Sequence, residues 1–229
     1  ESFSVHEQTS GLDYRFVLPG PTLQVAEWQA CLDHVAQRAT PPRFLVASGS
    51  LPPGVPDDFL AQLARLCQGR GIRLVLDSSG APLAAALQSA DSPGPYLIKP
   101  SLREWRDLTG QPLPDEASQR QAAQALIRQG RVHIVALSLG EDGAMLVTAD
   151  RAWRAHGLDI TVASTIGAGD SFLAGLIWSL DTHPDDLPRA FRYAMAAGAA
   201  ALLSAGTALC QPDDVERLSS QVRIEPMPA

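Results

Sequence analysis

The chain has 229 residues, of which 45% are hydrophobic and 19% are charged, and its formal net charge is −7. The length allows one large domain with a buried core, and the acidic balance argues against a role centred on nucleic acid or an anionic membrane. The three cysteines are far apart, so we expect no disulfide framework, no zinc site and a reducing cytoplasm as the compartment.

In chain order, the first elements are two short strand patterns, residues 2–7 and 13–18, which flank turn-like residues 9–12. Apolar residues alternate with polar ones, which predicts a β-hairpin over residues 1–20 with one apolar face. That face is formed by Phe3, Val5, Tyr14, Phe16 and Leu18. On the residues alone, an ordinary edge hairpin is one interpretation of this pattern, and it stays open.

Residues 21–229 then alternate between helix and strand patterns, without a repeat or a linker that would divide them. Helices are predicted over residues 25–35, 57–67, 81–88, 101–108, 116–129, 170–180, 186–203 and 212–220. Strands are predicted over residues 44–47, 72–76, 96–98, 132–137, 144–147 and 152–155. This alternation predicts a single α/β domain with a mostly parallel sheet that helices cover on both faces.

Ligands of such sheets bind beyond the carboxyl ends of the strands. The polar residues expected at these ends are Ser50, Asp77, Lys99, Ser138 and Asp170. Simpler roles stay open for three of them. Ser50 could be a turn serine, Asp77 could cap the helix near residue 81 as readily as orient metal-bound water, and Lys99 could be an exposed lysine.

The stretch from 164 to 175 places three small residues, Gly167, Ala168 and Gly169, before Asp170 and an apolar helix pattern. Small residues let several backbone N–H groups point to one side at a helix start, which suits an anion. Asp170 in the first turn could accept the proton of an alcohol that attacks a phosphoryl group. A tight turn with Asp170 as its N-cap is the alternative.

These motifs together resemble those of the PfkB (ribokinase-like) sugar kinases. Besides residues 164–177 they are, in family order, Gly-Ser-Leu-Pro-Pro-Gly at 49–54, Asp-Ser-Ser-Gly at 77–80, Lys-Pro-Ser-Leu-Arg-Glu at 99–104 and Ser-Leu-Gly-Glu-Asp-Gly at 138–143. With residues 14–20, the set is most similar to the minor-type phosphofructokinase branch. The resemblance covers essentially the whole chain, and the motifs are specific only as a set.

The resemblance implies a ribokinase-like three-layer αβα fold, with residues 1–20 as part of a β lid over the sugar that often doubles as a dimer interface. It implies that Asp170 is the catalytic base and that Gly167, Ala168 and Gly169 form the anion hole. Ser50 would contact the sugar phosphate. The family has further elements before this point, so we expect residues 1–229 alone to turn over poorly.

The resemblance also implies an ATP site, with residues 138–143 as its loop, although a plain hairpin turn is the alternative there. The expected nucleotide contacts are Lys99, Ser101, Ser138, Gly140, Gly143, Thr165 and Gly167. Glu104 and Asp77 would organise Mg²⁺ through water. A K⁺ site would use mostly backbone oxygens of Ser164, Ile166, Ala201, Ser204 and Gly206.

The family motif has Asn where this chain has Ser101, and Ser-x-x-Glu at a helix start is also a capping box that needs no function. The predicted activity is transfer of the γ-phosphoryl group of ATP to fructose 6-phosphate. Fructose 1-phosphate and tagatose 6-phosphate are alternative acceptors, and a non-catalytic binder of sugar phosphate or nucleotide is the alternative of another class. A homodimer through the hairpin is expected.

Overall fold

A computed structural model describes residues 2–10, 13–88 and 94–228. Its first element is an antiparallel hairpin of β1 (Ser2–His6) and β2 (Asp13–Val17), where the alternation predicts it. Phe3 lies opposite Phe16, and their rings stack with centroids 4.9 Å apart. Gly11 and Leu12 of the predicted turn lie outside the described residues.

The apolar face of the hairpin is open to solvent. Its five apolar side chains, Phe3, Val5, Tyr14, Phe16 and Leu18, are between 45% and 52% exposed. The hairpin forms a two-stranded sheet of its own, separate from the main sheet. Because an isolated two-stranded hairpin is only marginally stable in water, this face would gain from a partner surface.

The main sheet has seven strands in the part of the chain that is described, and their spatial order is their order in the chain. They are β3 (Phe44–Ser48), β4 (Arg73–Asp77), β5 (Leu97–Ile98), β6 (Ile134–Ser138), β7 (Gly143–Val147), β8 (Ala152–His156) and β9 (Ile224–Pro226). The first four are parallel, and the remaining three pair antiparallel in turn. Five of the seven therefore run in one direction, which confirms the mostly parallel sheet.

Strand β9 was not predicted from the sequence. It has three residues, ends at Pro226 and pairs only with β8 in the described sheet. Three residues are too few for an alternating pattern, and proline is tolerated on an edge strand because its missing N–H costs no ladder bond there. This strand forms because the chain returns to the sheet edge after the last helix.

Helices cover both faces of the sheet, which confirms the three-layer αβα fold. One hydrophobic cluster contains buried residues of five helices on one face, and a second contains those of three helices on the other. The first set is α1 (Val25–Gln37), α2 (Phe59–Gly69), α3 (Gly80–Gln88), α4 (Leu102–Thr109) and α5 (Glu116–Arg128). The second set is α6 (Ala168–Thr182), α7 (Leu187–Leu202) and α8 (Pro212–Ser219).

The division of the helices follows from the order of the strands. Parallel strands that succeed one another in space and sequence, joined by right-handed crossovers, place every crossover helix on the same face. The opposite face is then left for the helices that follow the last crossover, which are α6, α7 and α8. This arrangement brings the start of α6 over the sheet.

Close packing of α6 against α7 depends on small residues. A Cβ atom built on Gly175 would lie 2.8 Å from the Cβ of Ala197, which is closer than real atoms approach. Ala190, Ala194, Ala196 and Ala200 on α7 are all 0% exposed. The alanine-rich run is therefore a buried core helix, and no described helix is long and apolar enough to cross a membrane.

Helix α1 is less buried than its apolar stripe predicts. Of that stripe, Val35 is 9% exposed, Trp28 and Leu32 are half-buried, and Val25 is 58% exposed. The helix packs beside α2, where Trp28 meets Phe59 edge to face at 6.2 Å. Helix α1 therefore contacts the core through Trp28, Leu32 and Val35, whereas Val25 at its start does not.

The thiol of Cys67 in α2 gives a testable consequence of burial. Cys67 is 1% exposed, and burial raises its pKa to about 11, whereas Cys31 is exposed. We expect iodoacetamide at pH 8 to label Cys31 and to spare Cys67 until the protein unfolds, as read by peptide mass spectrometry.

The raised pKa of Cys67 also predicts a change of stability with pH. Its neutral thiol is favoured by folding, so this contribution is complete below the unfolded pKa of about 9 and is lost as pH rises toward 11. Relative to a Cys67→Ala variant, the free energy of unfolding should fall by up to about 1.4 kcal/mol per pH unit in this window. Parallel stability curves for the two proteins would contradict the shift.

Candidate active site

An ion pair lies at the carboxyl edge of the parallel strands. Asp77 ends β4 and Lys99 directly follows β5, and Lys99 Nζ lies 3.1 Å from Asp77 Oδ1. The Lys99 side chain is 8% exposed, and the Asp77 side chain is 18% exposed. Lys99 is therefore not the exposed lysine of the simpler interpretation, and the Asp77 carboxylate engages Lys99.

Lys99 is the single lysine of the sequence, against 17 arginines. The other permanently charged basic side chains are therefore guanidinium groups, and the one side-chain ammonium group lies at this edge. An ammonium acts as a point charge with rotatable donors, which suits a phosphate group that shifts position. The presence of a single lysine in the sequence therefore points to Lys99 as a functional residue, which the motif alone did not do.

The Asp77 carboxylate lies in a negative environment. Burial raises the pKa of Asp77 above its usual value, and the charges of Asp170 and Glu104 raise it further, whereas the charge and hydrogen bond of Lys99 lower it. Three carboxylates thus share one ammonium at this edge. Such an accumulation of negative charge is relieved by a cation.

Asp170 reaches the same edge by a different route. It lies in the first turn of α6, as predicted, and the segment that leads there from β8 is 11 residues long, from 157 to 167. Ser48 Oγ, at the end of β3, donates to Asp170 Oδ1 at 3.3 Å. Gly167 is the N-cap residue of α6, so the interpretation of Asp170 as an N-cap is wrong.

Ser48 is a site residue that the sequence analysis missed. It lies two residues before Ser50 and directly after the strand predicted over residues 44–47, and no role was predicted for it. Ser50 itself is exposed and lies in the loop that leaves β3. That loop is held by the close approach of its backbone to Leu23, because a Cβ on Gly54 would lie 2.2 Å from Leu23 O.

The start of α6 has the geometry of an anion site. Gly167 has a φ of +78°, a left-handed conformation that favours glycine, and Gly167 O accepts the first helical bond from Ser171 N. The amides of Ala168, Gly169 and Asp170 precede that bond and have no partner within the helix. A Cβ on Gly169 would lie 3.4 Å from Lys99 Nζ, so the ammonium group lies beside these amides.

A cavity of about 470 Å³ opens next to the start of α6. Its lining includes polar or small residues, here called the polar wall (Lys99, Ser138, Gly140, Gly143 and Gly169), and apolar residues, here called the apolar wall (Phe172, Met195, Ala199 and Leu202). Ser101, Thr165 and Gly167 are not part of its lining among the described residues. The size and the mixed lining suit a nucleotide-sized ligand.

The predicted nucleotide loop is a compact turn between two paired strands. Residues 140–142 form a 3₁₀ turn between β6 and β7, so the plain hairpin turn correctly describes its conformation. Gly143 has a φ of +105°, and a Cβ there would lie 2.2 Å from Ala155 O. This backbone contact holds the turn against β8, and two of the turn's residues, Gly140 and Glu141, line the cavity.

Ser101 and Glu104 form the capping box that their spacing allows. Glu104 Oε2 accepts from Ser101 N and from Ser101 Oγ, each at 2.8 Å, and Ser101 Oγ accepts from Glu104 N at 3.3 Å. The capping interpretation is therefore correct for α4. It does not remove Glu104 from the site, because the charge of Glu104 acts on Asp77.

The residues expected around a K⁺ ion come partly together. Ser164 Oγ donates to Gly206 O at 3.0 Å and accepts from Ile166 N at 3.2 Å. Ser204 N donates to Ala201 O at 3.1 Å, and Ser204 Oγ donates to Leu209 O at 3.3 Å. The bond between Ser164 and Gly206 joins the segment before α6 to the loop after α7.

Residues 2–214 match the model of the pfkB family of carbohydrate kinases, and the chain belongs to this family. Among curated relatives, the ATP-dependent 6-phosphofructokinase isozyme 2 of Mycobacterium tuberculosis is 44% identical over 217 residues, which are 95% of this chain and 62% of the relative. The chain thus spans less than two thirds of the length of that relative. The 1-phosphofructokinase of Xanthomonas campestris is 37% identical over 92% of this chain and 66% of its own length.

Solved structures agree with this assignment. Phosphofructokinase-2 of Escherichia coli in complex with substrates and products superposes with a TM-score of 0.88 at 35% identity, covering 96% of this chain and 70% of that one. The ribokinase of Arabidopsis thaliana, at 17% identity and a TM-score of 0.67, shares the fold.

Proposed function

We propose that this chain carries the catalytic machinery of a sugar-phosphate kinase that transfers the γ-phosphoryl group of ATP to a hydroxyl group. The observation that carries the proposal is the position of Asp170 in the first turn of α6, with Lys99 beside the free amides of the same turn. A proton acceptor next to an anion site is what phosphoryl transfer to an alcohol requires.

Fructose 6-phosphate is the acceptor we propose. The support is the identity to two proteins named ATP-dependent 6-phosphofructokinase isozyme 2, at 44% and 36%. Fructose 1-phosphate is the second candidate, because a relative named 1-phosphofructokinase is 37% identical. Tagatose 6-phosphate needs the same chemistry and stays a third candidate.

In the proposed reaction, Asp170 takes the proton of the attacking hydroxyl group while Ser48 orients its carboxylate. The amides of Ala168, Gly169 and Asp170 stabilise the negative charge of the moving phosphoryl group. Lys99 binds the phosphates from the polar wall of the cavity, and the nucleoside lies against the apolar wall. Ser50 contacts the sugar phosphate.

Mg²⁺ fits this site because Asp77 and Glu104 supply hard oxygen donors where negative charge accumulates. No set of three or more His, Cys, Asp or Glu side chains in the described ranges could hold a metal by itself. Mg²⁺ is commonly held by one or two carboxylates, water and substrate phosphates, and when bound it neutralises the triphosphate.

A K⁺ ion near Ser164 and Gly206 is a further part of the proposal. Its support is the bonded contact of the two segments and the similarity to a phosphofructokinase-2 of Escherichia coli that was solved in complex with potassium. Backbone carbonyl oxygens would be its ligands.

The test is a coupled assay of ADP formation with ATP, Mg²⁺ and each of the three sugar phosphates in turn. We expect the highest kcat/KM with fructose 6-phosphate. Higher kcat/KM with another sugar phosphate would reassign the acceptor. ATP binding by calorimetry without ADP formation would favour the non-catalytic binder, for which Ser101 in place of the family Asn is the specific argument.

We also propose a homodimer through the apolar face of the hairpin. Phe16→Glu places a charge on this face and should abolish the dimer, as measured by sedimentation velocity at tens of micromolar, roughly the range of a weak interface. Val17→Glu is the matched control, because successive side chains of a strand point to opposite faces and Val17 is 68% exposed. A parent protein that sediments only as a monomer would reject the proposal.

A further inference from the structure

Arg154 is a buried cation for which no function has been assigned. It lies in β8, and only 6% of the residue is exposed. Each of its three guanidinium nitrogens has a partner. Nε donates to Glu116 Oε1 at 2.7 Å, Nη2 to Asp142 O at 2.8 Å, and Nη1 to Ala155 O and, at 3.4 Å, to Ala144 O.

Two of the three carbonyls that Arg154 binds, those of Asp142 and Ala144, belong to the segment that walls the cavity. Asp142 ends the 3₁₀ turn, and Ala144 is the second residue of β7, the strand after it. Gly140, Glu141, Gly143 and Ala144 all line the cavity, whereas Arg154 itself is absent from the lining. Arg154 therefore holds the back of the turn, and the front of the same turn faces the ligand space.

Backbone hydrogen bonds hold the same turn together with Arg154. Leu139 N donates to Gly143 O at 2.8 Å, and Gly157 N donates to Asp142 O at 3.2 Å. The backbone of Gly143 also packs so closely against Ala155 O that it has little room to change conformation. A guanidinium group is suited to this task because its planar donors reach several carbonyls at once, which one ammonium group cannot do.

Glu116 gives the buried charge its counterion. Its carboxylate belongs to the first residue of α5 and is 48% exposed, so it links the guanidinium group to solvent and to the helix layer. A buried cation without such a partner would be costly. The arrangement ties β8, the turn at 140–142 and the start of α5 into one unit.

We infer that Arg154 is a positioning residue for nucleotide binding, acting through the turn at 140–142 and not by contact with the ligand. This inference rests on the proposed function, since it takes the cavity to be the nucleotide site. It predicts that loss of Arg154 weakens ATP binding selectively. The sugar-phosphate side, which Ser48 and Ser50 approach from β3, should be unaffected.

The experiment compares Arg154→Met and Arg154→Lys with the control Arg151→Met, whose exposed side chain lies in the same β-hairpin. We expect Arg154→Met to raise the Kd for ATP with Mg²⁺ about tenfold by calorimetry, because charge-assisted hydrogen bonds are lost. The Kd for fructose 6-phosphate should stay within about twofold. The Kd for ATP of Arg154→Lys should lie between those of the parent and Arg154→Met, and the Kd of Arg151→Met should equal that of the parent.

Hydrogen exchange in the ligand-free protein supplies a readout that needs no ligand. The amides of Leu139 and Gly143 are bonded within the turn and should exchange faster in both Arg154 variants than in Arg151→Met. Unchanged exchange in a folded variant would overturn the inference, as would equal losses of ATP and sugar-phosphate affinity. If circular dichroism finds the Met variant unfolded, the Lys variant decides by the same criteria.

The two readouts separate failure of the inference from failure of the proposed function. A parent protein that binds no ATP contradicts the proposed function and, with it, the role of Arg154 in nucleotide binding, whatever the exchange rates. A parent that binds ATP, together with folded Arg154 variants that bind it equally well, contradicts the inference alone.

Discussion

Asp170→Asn is expected to lower the turnover of phosphoryl transfer by about 10²–10⁴-fold, the usual contribution of a positioned acid–base group. Asn keeps the size of the side chain and can still accept a hydrogen bond from Ser48 Oγ, but it cannot take the proton of the attacking hydroxyl group. ATP affinity should change little, because the amides and Lys99 that bind phosphate remain. The measurement is kcat by coupled ADP detection together with the Kd for ATP.

Stability separates this effect from a structural one. Asp170 lies in the first turn of α6, where a negative charge gains about 0.3–1 kcal/mol from the helix dipole, so Asn should cost no more than that. A hundredfold loss of turnover corresponds to about 2.7 kcal/mol of barrier, well above this cost. Near-normal turnover would remove the proposed mechanism. As a control, Glu104→Gln should raise the Mg²⁺ requirement and lower the rate.

Lys99→Met is expected to destabilise the protein by about 3 kcal/mol at neutral pH, the lower end of the cost of removing one partner of a buried ion pair. It leaves Asp77, which is 18% exposed, near the charges of Asp170 and Glu104 without its counterion. Denaturant unfolding gives the free energy. Loss of the only side-chain ammonium group should also weaken ATP binding.

The pH dependence of this loss has a definite sign. Removal of Lys99 takes away the charge that lowers the pKa of Asp77, so that pKa rises further above the unfolded value of about 4. A group with a raised pKa favours folding in its protonated form, so the stability deficit should shrink as pH falls toward 4. The double variant Asp77→Asn/Lys99→Met should recover most of the stability but not the activity. Equal stability of the single and double variants would show that the ion pair is not the cause.

The elements were largely predictable because their signals are local. Helical spacing of apolar residues located α2 and α7, and alternation located β1 and β2. Helix α1 was predicted correctly in extent, but the exposure of Val25 depends on what packs against it. The burial of a residue depends on the elements that pack around it, and the hydrophobic period of one helix does not specify these elements.

The motif at 167–170 also had two interpretations that only packing could separate. Its residues permit a tight helix start, and the N-cap proved to be Gly167. Lys99 was recognised as a polar residue after a strand, but its burial and its contact with Asp77 follow from the pairing of β4 with β5. Ser48 was missed because its partner lies 122 residues away in the chain.

By itself, the amino-acid sequence determined the family, the order of helices and strands, and most of the residues at the carboxyl edge. It could do so because motifs and hydrophobic periods depend only on residues that are close together in the chain. Only the tertiary structure decided which of these charged residues interact: Asp77, Asp170 and the pair Lys99 and Glu104 come from three separate segments. It also decided that Arg154 supports the turn at 140–142 from behind. Such contacts depend on strand order and on the connection after β8 that places α6 over the sheet, and these arise only when the whole core packs.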